Sequence, residues 1–238
     1  MPNDSPLVIA HRATMGHAPE NTLLGVRRAL ELGCDGVEID VRLCADGVPV
    51  LIHDALLDRT TDASGAVAEA TLDDLSQIDA GGGESIPTLT DALNEIAGQM
   101  LLVIELKTSP GDDVAALCDA VLAEVTAMDA LPWTWLWSFD PNAVRTLAER
   151  APKGRRIAHL CGAPTKEVWQ AVEEYRLDGL SMYFSAINES TIAACRAHDA
   201  AAFAWTVNEA DEIARLIKLG LTGIVGDYPE RIQSAMAQ

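Results

Sequence analysis

Four short polar runs stand out in the chain: His11-Arg12, Glu38-Ile39-Asp40, His53-Asp54 and Glu105-Leu106-Lys107. Glu38, Asp40 and Glu105 are oxygen ligands of the kind that a hard divalent cation such as Mg²⁺ or Ca²⁺ takes, whereas zinc more usually draws His or Cys. Two imidazoles beside such a cation suit general acid–base work at neutral pH, because an unperturbed histidine titrates near about 6.5. Arg12 and Lys107, together with the cation, would supply the local positive charge that a phosphate group needs. Trp205, just before Thr206-Val207-Asn208, is placed to wall such a site. A plainer reading makes Glu38 and Asp40 a buried ion-pair cluster with Arg12 and Lys107. On that reading His11 is a hydrogen-bonded core residue and His53 a turn residue beside Asp54.

For these runs to meet, the chain must bring strand ends together. Short apolar or β-branched segments at 7–11, 36–41, 101–107, 134–139, 156–160, 179–183, 201–207 and 223–227 alternate with helix-period segments. This alternation predicts a parallel sheet with crossover helices. Eight such units in this length favour a closed TIM (β/α)8 barrel over a doubly wound open sheet. Barrel sites lie at the carboxyl ends of the strands, where the polar runs fall. Because side chains alternate along a strand, Glu38 and Asp40 share a face, as do Glu105 and Lys107, while Ile39, Ile104 and Leu106 point away. Helix ends are legible at Asn21-Thr22 and Gly33, at Asp140-Pro141, and at Asn208 and Gly220.

One stretch breaks the pattern. Asp46-Gly47 between strand-like flanks predicts an antiparallel hairpin with a two-residue loop, a register that sets Ala45 opposite Val48 and Asp40 opposite His53. Residues 55–85, rich in Thr, Asp and Gly, then read as a small insertion after the second strand and the hairpin. A helical turn at 72–78 is introduced by Thr71 and Asp74. The whole of 1–238 is expected to form a single domain around the barrel.

With 17 Lys and Arg against 36 Asp and Glu, the formal net charge of −19 excludes a general affinity for nucleic acid or anionic membranes. No run approaches the roughly 18 apolar residues of a spanning helix. The opening Met-Pro-Asn-Asp-Ser lacks the basic n-region of a secretory signal, so a cytoplasmic protein is expected. Cys34, Cys44, Cys118, Cys161 and Cys195 include no C-x-x-C pair and read as reduced, buried thiols. Gly81-Gly82-Gly83 lacks the ending of a phosphate loop and reads as a turn, while Trp133, Trp135 and Trp137 alternate as packing residues. His17 and His198 are expected to be solvated, and His159 stays open between roles.

The ordered set Ala10-His11-Arg12, Pro19-Glu20-Asn21-Thr22, Val37-Glu38-Ile39-Asp40-Val41, Asp46-Gly47, His53-Asp54 and Arg59-Thr60-Thr61 resembles the glycerophosphodiester phosphodiesterase family. The resemblance continues through Ile86-Pro87-Thr88-Leu89, Ile104-Glu105-Leu106-Lys107, Trp205-Thr206-Val207-Asn208 and Asp227-Tyr228-Pro229, and so spans nearly the whole chain. It implies a TIM barrel with a small inserted subdomain that hydrolyses a glycerophosphodiester to glycerol 3-phosphate and an alcohol with a divalent metal: Mg²⁺, Ca²⁺ or Mn²⁺. By the same resemblance His11 and His53 are the acid–base pair, Glu38, Asp40 and Glu105 the metal ligands, Arg12 and Lys107 the phosphate contacts, and Trp205 a wall against the glycerol or its phosphate. Two departures stand out. Ala13 replaces the family's Gly after His-Arg, which is expected to narrow the pocket or alter its loop, and the segment from Asp79 to Ile86 is short and lacks aromatic residues. Rival readings are a lysophospholipase D-type enzyme on a lipid diester, a non-catalytic binding barrel, and a sugar-phosphate isomerase. The first would want a membrane-docking helix, and the last a Gly-rich signal after the seventh and eighth strands; neither is present in the sequence.

Overall fold

The computed structural model describes residues 5–237. Residues 1–4, on which the expectation about a secretory signal rests, lie outside the described residues together with 238. The strands are β1 (Leu7–Ala10), β2 (Gly36–Leu43), β3 (Pro49–Leu51), β4 (Leu101–Leu106), β5 (Thr134–Ser138), β6 (Ile157–Cys161), β7 (Gly179–Tyr183), β8 (Ala201–Trp205) and β9 (Gly223–Gly226). The helices are α1 (Leu23–Glu31), α2 (Leu72–Ser76), α3 (Leu89–Ile96), α4 (Val114–Ala127), α5 (Pro141–Arg150), α6 (Lys166–Tyr175), α7 (Glu189–Ala197), α8 (Ala210–Leu219) and α9 (Pro229–Met236). All strands but β3 run parallel, and β1 pairs with both β2 and β9, so the sheet closes into an eight-stranded TIM barrel.

Period-two alternation divides the core. Ile9, Val103, Trp135, Trp137, Ala158, Leu160, Phe203 and Val225 fill the barrel interior. Their neighbours in sequence, among them Val8, Leu102, Ile104 and Leu136, face outward into the larger core beneath the helices. Helix starts follow side-chain chemistry: Thr22 accepts from Gly25 N–H, Thr88 and Asp91 form a capping box, and Asp140 caps α5 ahead of Pro141. Among the described residues no helix is long and apolar enough to cross a membrane.

The hairpin differs from the expected register by one residue. Val41 lies opposite Leu51, and Cys44 N–H donates to Val48 O, which leaves a three-residue loop, Ala45-Asp46-Gly47. Gly47 takes the left-handed conformation (φ 74°) that such a loop needs and glycine adopts without a Cβ penalty. Asp40 O therefore accepts from Ile52 N–H, and His53 lies one position beyond. The slip does not turn His53 away, because β3 ends at Leu51 and alternation no longer applies there.

Beyond the hairpin, the chain from residue 55 to 86 carries its own small core of Leu57, Val67, Leu75, Ala80 and Ile86 against Cys44, Val50 and Ile52. The three successive glycines Gly81–83 all have positive φ, and the Asp79 carboxylate accepts from Gly81 and Gly83 N–H. Two packing expectations change. Trp133 sits in a 3-10 turn ahead of β5 and packs on the outer core, not with Trp135 and Trp137. His17 is exposed, as expected, with its Nε2 2.9 Å from Glu230, whereas His198 is half-buried and stacks on Trp169. His159 is buried and its Nδ1 meets Ser138 O at 3.0 Å.

Candidate active site

Strands β2 and β4 pair with Asp40 opposite Glu105, which places Glu38, Asp40 and Glu105 on the inward face at the carboxyl end of the barrel. One oxygen from each lies within 4.8 Å of the others. Glu38 and Asp40 are 3% and 1% exposed. Burial, then the charges of Asp40 and Glu105, drive the Glu38 pKa well above the ordinary carboxylate range. Burial and Asp40 push Glu105 up to about 7 despite the opposing Lys107. Asn21 grips Asp40 twice: its Nδ2 donates to Oδ2 (2.8 Å), and its Oδ1 accepts from Asp40 N–H (3.0 Å). Arg12 N–H donates to Glu38 Oε2 (2.8 Å). Lys107 Nζ donates to Glu105 Oε1 (2.6 Å) and lies 3.7 Å from Asp40, while Arg12 Nε lies 3.5 Å from Asp40. The ion-pair reading is thus partly realised, but two cations face three clustered carboxylates, two buried and one half-buried, and when all are ionised negative charge is left in excess for a cation to balance.

Each histidine facing this cluster is backed by a carboxylate. His11 Nδ1 meets Asp227 Oδ1 at 2.6 Å, and Asn208 holds Asp227 through Nδ2 to Oδ2 (2.6 Å) and by accepting its backbone N–H (2.9 Å). Burial raises the Asp227 pKa, but bonding to His11 and Asn208 outweighs this and keeps it below the ordinary range. His53 Nδ1 meets Asp54 Oδ1 at 2.6 Å, and its Nε2 lies 3.0 Å from Lys107 Nζ. A lysine ammonium only donates, so His53 Nε2 presents a lone pair and Nδ1–H turns to Asp54. Burial first, then Lys107 and Arg12, lower the His53 pKa against the pull of Asp40 and Asp54. The hydrogen bond from Arg59 and then that from His53 hold Asp54 far below the carboxylate range.

The loop carrying His11 and Arg12 turns through three successive left-handed residues, Arg12, Ala13 and Thr14 (φ 45°, 56° and 59°). It lies so close to α1 that a Cβ on Gly25 would come 1.8 Å from Ala13 O. A family preference for Gly at position 13 matches this backbone, since φ > 0 is unstrained for glycine. The Ala13 methyl is fully buried in the outer core and does not line the cleft, so it narrows no pocket.

The cleft, with a cavity volume of about 110 Å³, brings together six of the eight expected side chains that face solvent: His11, Arg12, His53, Glu105, Lys107 and Trp205. Glu38 lines it as well, while Asp40 lies beneath, held within the carboxylate cluster. Phe139 and Trp205 meet edge to face (5.2 Å) on the opposite wall, and Tyr183 adjoins Trp205 at 5.4 Å. Among the described residues, the buried indole N–H groups of Trp137 and Trp205 find no acceptor. Sequence reasoning singled out neither Phe139 nor the partners Asn21, Asp227 and Asn208 as site residues. Asn21 and Asn208 each lie 19 positions from the carboxylate they hold, beyond any local pattern, although all three fall within the quoted motifs.

The model of the glycerophosphoryl diester phosphodiesterase family matches residues 11–231. A glycerophosphodiester phosphodiesterase of Caldanaerobacter subterraneus subsp. tengcongensis is 32% identical over 239 residues, covering 95% of this chain and 96% of its own. Among solved structures, an Oleispira antarctica phosphodiesterase in complex with the product sn-glycerol-3-phosphate superposes with a TM-score of 0.91 at 32% identity, covering 98% of both chains. An Agrobacterium tumefaciens glycerophosphodiester phosphodiesterase superposes with a TM-score of 0.83 at 25% identity, covering 96% of this chain and 99% of its own. With the fold, the match across nearly the full length and the cleft in agreement, the chain belongs to the glycerophosphoryl diester phosphodiesterase family and is an enzyme that hydrolyses glycerophosphodiesters.

Proposed function

We propose that the enzyme releases sn-glycerol 3-phosphate and an alcohol by histidine acid–base catalysis with a divalent cation held by Glu38, Asp40 and Glu105. The observation that carries this reading is the convergence of two carboxylate-backed histidines on three clustered carboxylates, with Arg12 and Lys107 beside them. The all-oxygen donor set suits Mg²⁺, Ca²⁺ or Mn²⁺, and its raised carboxylate pKa values reflect burial first and then mutual repulsion, a cost that a bound cation would offset. When bound, such an ion supplies Lewis-acid stabilisation of charge on the phosphoryl oxygens.

The chain's own residues do the rest. His53, neutral and with its Nε2 lone pair toward the cleft, takes a proton from the attacking oxygen. That oxygen is the adjacent glycerol hydroxyl, giving a cyclic phosphate that water opens, or water itself. His11, oriented by its contact with Asp227, gives a proton to the leaving alcohol. Arg12 and Lys107 hold the phosphate oxygens as charge builds, and Trp205 with Phe139 walls the glycerol. Five free, buried thiols suit a reducing compartment, and the cytoplasm is the proposed location. The substrate is a small soluble diester. The strong negative charge speaks against nucleic acid or anionic membrane as partners.

The test is release of glycerol 3-phosphate from a panel of glycerophosphodiesters after chelation and after adding back Mg²⁺, Ca²⁺ or Mn²⁺, with Glu38→Gln as control. Metal-restored turnover that the variant lacks supports the reading, and turnover untouched by chelation refutes it. Accumulated cyclic glycerophosphate identifies the hydroxyl as the attacking group.

A further inference from the structure

Arg59 lies in the excursion beyond the hairpin, outside the cleft, yet its guanidinium joins two arms of the site. Its Nε donates to Asp54 Oδ2 (2.5 Å), and its Nη1 and Nη2 donate as a fork to the two oxygens of Glu20 (2.8 Å each). Each carboxylate makes a further contact, Asp54 through its second oxygen and Glu20 through the Oε1 that Arg59 Nη2 also holds. Asp54 Oδ1 holds His53 Nδ1 (2.6 Å), and Glu20 Oε1 accepts from Arg12 Nη1 (3.2 Å). The turn that carries Arg59 is fixed by Thr61, whose N–H and Oγ1 both bond Leu57 O.

An isolated surface ion pair of a half-exposed arginine contributes little. Here the Arg59 side chain is 46% exposed, but the Glu20 it grips is 9% exposed, and the contact is bidentate within a continuous chain of charges. A planar fork fixes orientation as well as distance, which a lysine ammonium does not. We propose that Arg59 is a positioning residue that sets His53 and Arg12 relative to each other, through Asp54 on one side and Glu20 on the other. The inference rests on the roles proposed above for His53 and Arg12. It makes the excursion part of the catalytic apparatus although none of its residues lines the cleft.

The test measures glycerol 3-phosphate release from glycerophosphocholine by the full chain with its divalent cation, alongside thermal melting. Arg59→Met, Asp54→Asn, their double variant and Arg59→Lys are compared, with His53→Ala and Arg12→Ala as controls. Arg59→Met is expected to lower kcat/KM by about 10- to 100-fold, the order of effect of a small misplacement remote from the chemistry. In the Asp54→Asn background the same change lowers kcat by no more than about twofold, because the line to His53 is already broken, and the loss that remains, through Glu20 and Arg12, falls on KM. Arg59→Lys keeps the charge without the fork and recovers only part of the loss; if Arg59→Met does not fold, Arg59→Lys takes its place in the cycle. Losses that multiply independently, or wild-type kinetics in Arg59→Met, overturn the inference. Near-normal turnover in His53→Ala or Arg12→Ala instead overturns the reading on which it rests.

Discussion

Three clustered carboxylates within 4.8 Å of one another, two of them buried and Glu105 half-buried, make the metal-free protein sensitive to pH in a direction that can be worked out. Glu105 titrates near 4.5 when unfolded and is pushed up to about 7 in the fold, chiefly by burial and then by Asp40. Between these values the folded state binds more protons than the unfolded one, so stability falls as pH rises. Below about pH 4.5 this group imposes no penalty, and above about pH 7 the penalty is complete, on the order of 3 kcal/mol at about 1.4 kcal/mol per pH unit. Glu38 shifts in the same direction and steepens the loss. Glu105→Gln removes the charge while leaving a group that Lys107 can still approach. The metal-free variant should therefore melt higher than metal-free wild type at about pH 8, by roughly 6 to 12 °C for about 3 kcal/mol in a chain of this size. At about pH 4.5 the two should melt together, once the wild-type carboxyl is protonated. Divalent cation should raise the wild-type midpoint at the higher pH and leave the variant nearly unmoved. The assay is thermal melting of chelated and cation-loaded samples across this pH range. A metal-free wild type whose stability is flat or rising over the interval, or a variant less stable at the higher pH, would refute the electrostatic argument.

Asp227→Asn leaves His11 without its anionic partner and should lower kcat by about 10²- to 10⁴-fold, the span of general acid–base contributions, with KM little changed; steady-state kinetics on glycerophosphocholine reads this directly. Asn21→Ala frees the Asp40 carboxylate on one side and should weaken divalent-cation affinity by about 10- to 100-fold, measured by calorimetric titration of the chelated protein. Cys34, Cys118 and Cys161 are buried with thiol pKa values raised to about 12, so a thiol reagent should label them in denaturant and not in the native protein.

Much of the barrel was legible because its information is local and periodic. Strict alternation along β2 and β4 put Glu38, Asp40 and Glu105 on one face and Ile39 and Ile104 on the other, as found. Strand ends were set a residue or two long at His11, Lys107 and Asp227, where the backbone leaves the ladder to present polar side chains. The hairpin register missed because the loop takes in Ala45 as a third residue ahead of Asp46 and left-handed Gly47, which its composition does not reveal. The residues that hold the histidines and Asp40 in place are paired across the fold, and no period in the chain encodes such a pairing. Trp133 shows the same limit: its spacing from Trp135 is that of a strand, but the strand begins one residue later.

The bond between His11 and Asp227 spans 216 positions of sequence and ties the loop after β1 to the end of β9, the two strands whose pairing closes the barrel. Whatever β1 to β8 have formed, this seam stays open until β9 is in place, and the carboxylate that orients the first histidine follows that last strand. On the acid–base role proposed for His11, a chain truncated before β9 should lack histidine-dependent turnover, and the onset of turnover during refolding should report the final act of closure, not collapse.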